Sequence, residues 1–181
     1  RVSDYIARLE VTGLKVYQVG FVANGDLGKK IIAEGARKGS QNYAIILNLL
    51  ARGAEVVSTE DRALLEEEYE HIRRIIKAKT PAQKKLTDQE YKLRKAPLAV
   101  ARACFIARTI NETLGGGEVG LLFLGAYHDV IPHLAPDIVV EPLKEPEKVK
   151  AYFDELMSGG DEKNLEQLTG YLTSAVNASV S

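Results

Sequence analysis

His128 and Asp129 follow directly on Val119-Gly-Leu-Leu-Phe-Leu-Gly125, an apolar stretch with no alternation of polar residues. An imidazole in such a place can ligate a metal or take up a proton, and a neighbouring carboxylate can orient it or share a cation. The competing assignment is local: Asp129 caps a short turn and His128 packs against a loop. Glu60 and Asp61 follow a second short apolar stretch, Ala54–Ser58. They could act as ligands or as acid and base, but the helix macrodipole also stabilises acidic residues in a first helical turn, by about 0.3–1 kcal/mol. In open α/β sheets, ligands gather just beyond the carboxyl ends of the strands. Gly20, Glu60 and His128 are therefore expected to converge on one rim, with Asp61, Gly125 and Asp129 beside them as ligand-binding candidates.

The pattern of apolar residues, glycines and prolines defines the elements that must hold these residues. Residues 14–22 are rich in β-branched and aromatic side chains and read as the first strand. Asn24-Gly25 is a turn, and Asp26 can cap a helix over 27–38. Gly39 ends that helix and Ser40 caps the next, with Ile45, Ile46, Leu49 and Leu50 at helical spacing. Residues 54–58 form a short second strand, and Ser58-Thr-Glu-Asp61 has the form of a capping box for a helix over 61–78. Residues 79–96, polar and basic around Pro81, read as a connection or a solvated helix start. After Pro97, the positions Leu98, Ala101, Phe105, Ile106, Ile110 and Leu114 make one helical face. That helix is expected to lay Leu98, Phe105, Ile106 and Ile110 on the sheet, leaving Arg108 and Glu112 in solvent. Residues 119–125 read as an interior strand buried on both faces and flanked by parallel neighbours. Asp137–Leu143 reads as a last strand, and helices near 146–157 and 161–176 finish the chain.

Long helical crossovers between strands predict an α/β fold with a largely parallel central sheet of about four strands covered by helices. With 181 residues, a single domain over 1–181 is expected, with 144–181 as a C-terminal helical extension. The chain begins with Arg1 rather than Met, which suggests a piece of a longer protein with a segment upstream. A net charge of −1 provides no global field to recruit nucleic acid or an anionic membrane. No apolar run approaches transmembrane length. The single cysteine, Cys104, cannot form an internal disulfide and points to a cytoplasmic setting.

Other chemistries find little support. Gly20-x4-Gly25 lacks the Lys-Ser/Thr of a phosphate loop, and Gly115-Gly-Gly117 precedes a strand instead of following one. There is no Gly-x-Ser-x-Gly elbow, and Cys104 reads as mid-helix among apolar neighbours. Gly39-Ser40-Gln-Asn-Tyr43 reads as helix capping, with a ligand-binding loop as the alternative. Eleven of the 24 Lys and Arg residues fall between Arg73 and Arg108. A charged, solvated helix pair explains them; an anionic ligand drawn by Arg102 or Lys95 is the competing reading. Few aromatics interleave these cations, which argues against a nucleic-acid platform.

Arg108-Thr-Ile-Asn-Glu-Thr-Leu-Gly115 followed by Leu122-Phe-Leu-Gly125-Ala-Tyr-His128 resembles the carboxyl-terminal motif of the TraB/Tiki, ChaN and erythromycin-esterase-like superfamily. The layout from the first strand through Glu60 is similar to that superfamily's first half. The similarity of layout spans about residues 14–143, and Gly125-x-x-His128 is the motif match. The resemblance implies metal-dependent proteolysis, ester hydrolysis or haem binding, with His128 as ligand or base and Glu60 as ligand or acid/base. This chain departs from the family at the end of its first strand, where Gly20-Phe-Val-Ala23 supplies no histidine for a two-His metal or haem site. Three functions follow as expectations. The first is a hydrolase in which His128, Glu60 and Asp129 activate water, with or without a metal. The second is a rim that binds a small molecule. The third is a self-assembling domain, a homo-oligomer. The sequence names no cofactor and no substrate.

Overall fold

The computed structural model describes residues 1–176. After a short helix α1 (Val2–Ile6), strand β1 (Lys15–Gln18) leads into helices α2 (Gly25–Arg37) and α3 (Gln41–Ala51). Strand β2 (Glu55–Ser58), helices α4 (Arg62–Lys77) and α5 (Pro81–Thr113) and strand β3 (Gly120–Phe123) complete the central body. A 3-10 turn over Ile131–His133 precedes helices α6 (Pro146–Ser158) and α7 (Glu162–Thr173). The three strands form one parallel sheet in the order β2-β1-β3.

The chain steps from β1 to one neighbour and then returns past β1 to the other. Crossovers of the same hand must then lie on opposite faces of the sheet. The core divides accordingly. On one face Val16, Val56, Leu121 and Phe123 pack with Ile32 of α2 and with Ile46 and Leu49 of α3. On the other, Tyr17, Val57 and Leu122 pack with Ala103, Ile106, Ala107 and Ile110 of α5. Adjacent residues of each strand serve opposite faces, as the period of two requires.

This arrangement corrects two expectations. The run at 119–125 is not an interior strand: β3 lies at the sheet edge, paired only with β1 among the described residues. Its unbroken apolar character comes from having both faces covered, and covering the faces does not require pairing both edges. The expected fourth strand at 137–143 is also absent. Its backbone makes no strand pairing, Val139 is 86% exposed, and Pro142 cannot donate to a ladder. Among the described residues the fold is α/β with a parallel sheet, as expected, and that sheet has three strands where about four were expected.

Helix α5 is longer than its apolar face suggested. Thr80 and Gln83 form a reciprocal capping box with Pro81 at the first position, so the basic stretch 81–96 is helix from its start. Pro97 does not break it. Pro97 and the preceding turn at Leu93 are exposed, so the carbonyl that loses its intrahelical donor faces water. Leu98, Ile106 and Ile110 are buried, and Arg108 and Glu112 are exposed, as expected. Phe105 is only half-buried and lies beneath the Arg108 guanidinium, 5.0 Å from it. Cys104, expected among apolar neighbours, is exposed.

Helices α6 and α7 form a hairpin in which no residue is fully buried. Tyr127 donates to Asp154 of α6 at 2.7 Å, tying the hairpin to the segment after β3. Among the described residues, no helix is long and apolar enough to cross a membrane.

The two sides of α5 predict unequal costs. Ile106→Ala should lower stability by about 2–5 kcal/mol, the usual range for a buried aliphatic. Phe105→Ala should cost clearly less, because its ring is already partly in water. Urea denaturation of the two variants, compared at unchanged slope, measures the difference.

Candidate functional site

Three loops meet beyond the carboxyl ends of the strands. After β1 the chain turns at Gly20, whose φ of +83° lies in the left-handed region that favours glycine. After β2, Thr59 and Glu60 turn inward and are almost fully buried. The two loops are stitched together: Thr59 N–H donates to the Phe21 carbonyl at 3.0 Å, and the Ser58 N–H donates to the Asn24 side chain at 2.6 Å. The Thr59 hydroxyl donates to the Gln18 carbonyl.

Glu60 is the hub. One carboxylate oxygen, Oε1, accepts the Gly20 N–H at 2.9 Å, and the two oxygens together accept a bidentate pair from Arg102, with Nε at 3.0 Å from Oε2. Only 1% of the Glu60 side chain and 9% of the Arg102 side chain is exposed. Arg102 also donates to Glu68 of α4, and Glu68 accepts from the Tyr91 hydroxyl at 3.2 Å. The Glu60 contact holds the Arg102 guanidinium above its already high range. Burial pushes the Tyr91 hydroxyl up, and the adjacent Glu68 carboxylate adds to that.

His128 enters this cluster from the end of β3. Its N–H donates to the Gly125 carbonyl at 3.1 Å, closing a tight turn. The ring folds back over Gly125, where an added Cβ would stand 3.2 Å from Cδ2. A glycine at 125 thus leaves room for the ring. Burial pushes the His128 pKa down and the Arg102 charge pushes it the same way, while Glu60 and Glu68 pull against them. The imidazole is therefore held neutral at neutral pH. Its Nδ1 atom is enclosed and has no hydrogen-bond partner.

The structure thus brings Gly20, Glu60, Gly125 and His128 to one rim, and it sets Asp61 and Asp129 apart from it. Asp61 is the N-cap of α4, accepting the N–H groups of Ala63 and Leu64 at 2.7 and 3.1 Å. The cap therefore falls on Asp61, not on Ser58. Asp129 is exposed and makes no hydrogen bond among the described residues. Glu60 does not cap its helix, so the macrodipole account applies to its neighbour alone. Ser40 accepts the Tyr43 N–H at 3.3 Å, and Gly39 adopts a φ of +97°, so that loop is occupied with capping.

Glu68, Tyr91 and the pairing role of Arg102 were not read from the sequence. One signal was available. Leu98, Arg102, Ile106 and Ile110 share one helical face, and a lone charge within an apolar stripe requires a buried partner. The remaining cations of the stretch behave as a solvated pair of helices: Arg73, Arg74 and Arg94 make exposed ion pairs with Glu70, Glu90 and Glu67.

A metal or haem of the kind the superfamily resemblance implies does not fit these residues. Among the described residues, no three His, Cys, Asp or Glu side chains converge on one point, and Arg102 and Gly20 engage the Glu60 carboxylate. No family model matches the chain, and no curated protein or solved structure matches it either.

Two outcomes follow. Arg102→Met leaves Glu60 with only the Gly20 N–H and should cost about 3–5 kcal/mol; Glu60→Gln should cost less, because Arg102 keeps Glu68, and the double variant should be more stable than Arg102→Met alone. Urea denaturation of the three proteins checks this. For His128, the folded pKa lies below the unfolded value of about 6.5. Its contribution is therefore fully present above pH 6.5, and it is lost as the pH falls through the lower folded value. The stability difference between wild type and His128→Gln, followed downward from about pH 7.5, one unit above the unfolded value, should shrink in acid.

Proposed function

We propose that the rim formed by Gly20, Glu60, Gly125 and His128 is a hydrolase-like site in which His128 acts as general base toward water. The observation that carries this reading is the enclosed, unpartnered Nδ1 on a ring held neutral. In the tautomer that carries its proton on Nε2, the Nδ1 lone pair is free to take a proton, as a general base requires. The turn after β3, where Gly125, Tyr127 and Asp129 are exposed, is the side of the ring nearest solvent and the route by which water would enter. Glu60 is a positioning residue in this account. Both its oxygens are engaged, and its work is to hold Arg102 and the Gly20 loop in place. Arg102 then provides a fixed positive charge beside the base, where a developing oxyanion is stabilised.

Two further lines support the proposal. The site lies at the carboxyl ends of parallel strands where the strand order reverses around β1, the usual ligand position in open α/β sheets. The resemblance of Gly125-x-x-His128 to the erythromycin-esterase-like superfamily agrees with an ester-type substrate and with a base at His128. The substrate is a small molecule rather than nucleic acid, because Arg102, the arginine at the rim, is already paired with two carboxylates. A cytoplasmic setting, in keeping with the single cysteine, belongs to the same proposal.

A non-catalytic rim for a small anion is the second reading. It is favoured by Arg102, which spends three of its five N–H donors on Glu60 and Glu68. Hydrolysis of p-nitrophenyl acetate separates the two. The hydrolase reading predicts turnover above the buffer rate that rises with pH through the His128 titration. In His128→Gln that turnover should fall about 10²–10⁴-fold, the usual contribution of a general base. Equal rates in wild type, variant and buffer would overturn it.

A further inference from the structure

Helix α4 is amphipathic, yet none of its 16 residues is fully buried. Its contacts with α5 run along one side: Glu67 with Arg94, Glu68 with Tyr91 and Arg102, and Arg74 with Glu90. Leu65, Tyr69, Ile72 and Ile76 recur at spacings of four, three and four, which places them on one face at 100° per residue. That face is turned well away from the α5 seam. Tyr69 is 63% and Ile76 77% exposed, and a shallow, apolar depression of about 370 Å³ lies between Leu65, Glu68, Tyr69 and Ile72. Isolated apolar side chains on a surface are ordinary, but a heptad-like stripe along a whole helix has the form of a helix–helix seam.

We propose that this face pairs with the same face of a second copy of the chain, with the two α4 helices antiparallel. The charges beside the stripe decide the occupant and the direction. On the side away from α5, Glu66 and Glu70 lie toward the amino end, and Arg73 and Lys77 toward the carboxyl end. In one antiparallel register, Glu66 of each copy faces the partner's Lys77, and Glu70 faces the partner's Arg73. The two-fold axis produces each pair twice. Within about half a helical turn of that register, Leu65 lies against the partner's Ile76 and Tyr69 against the partner's Ile72. A parallel two-fold pairing would turn the Glu66–Lys77 edges of the two copies to opposite sides of the seam, each toward the α5 side of its partner, and none of these pairs would form. The existing bonds of Glu66 to Arg62 and of Arg73 to Glu70 lie within one helix and are exposed, so exchanging them costs little. A single pair of helices is at the small end of specific interfaces. Association is therefore weak and concentration-dependent.

Sedimentation velocity of the full chain over a range of concentrations tests this. Wild type should pass from monomer to dimer. Ile72→Asp should abolish the dimer with an unchanged circular dichroism spectrum, since Ile72 supports no buried core. Lys77→Glu should weaken association about tenfold, two symmetry-related exposed pairs being replaced by repulsions. Glu66→Lys combined with Lys77→Glu should restore it. A wild-type chain that stays monomeric, or a dimer indifferent to all these changes, overturns the proposal. So would a monomer that binds phosphatidylserine vesicles through Ile72 and Lys77, which would assign the face to an anionic lipid surface.

Discussion

A carboxylate with 1% of its side chain exposed cannot stay ionised without compensation, and the rim of this protein is arranged around that requirement at Glu60. The bidentate bond from Arg102 answers it, and the Gly20 N–H adds a third donor. Each bond fixes a different part of the chain. Glu60 belongs to the exit of β2, Gly20 to the exit of β1 and Arg102 to the middle of α5. Glu68 brings in α4 through the same guanidinium. Removing either charge leaves the other buried, so four segments share the consequences of one ion pair.

The same pair sets the electrostatics seen by His128. The ring reaches the cluster because Gly125 leaves room for it, and it meets a cation whose own counterions are already committed. Burial is the larger obstacle to protonating the imidazole, and the Arg102 charge adds to it, against the pull of Glu60 and Glu68. A neutral ring is the cheaper state, and a neutral ring is what can accept a proton. The base proposed at this rim thus depends on an interaction whose first role is structural.

Much of this was legible in the chain. Strands β1 and β2, the helices apart from the first half of α5, and the convergence of Gly20, Glu60 and His128 follow from apolar runs, glycine stops and parallel topology. What escaped has identifiable causes. An apolar run reports that faces are covered and says nothing about edges, so β3 was placed inside the sheet. Ile138-Val-Val140 has strand-like side chains, but Pro136 and Pro142 bracket it and no ladder forms. Phe105 and Ile106 are adjacent on a helix, and periodicity alone could not say which of them the sheet would take. Glu60 and Asp61 are both acidic residues at a helix start; which one caps and which one turns inward depends on an arginine 42 positions away in sequence. Such a partner is visible only as a charge out of place on the apolar face of α5.

The central claim is that burial, with the Arg102 charge beside it, holds the His128 imidazole neutral against the pull of Glu60 and Glu68. Its most direct test is an NMR titration of the His128 ring, assigned by comparison with His128→Gln. The account predicts a midpoint below the ordinary histidine value of about 6.5, moving upward in Arg102→Gln, where the repelling cation is gone and Glu68 remains. A midpoint at or above the ordinary value in wild type, unmoved by the loss of Arg102, would contradict it.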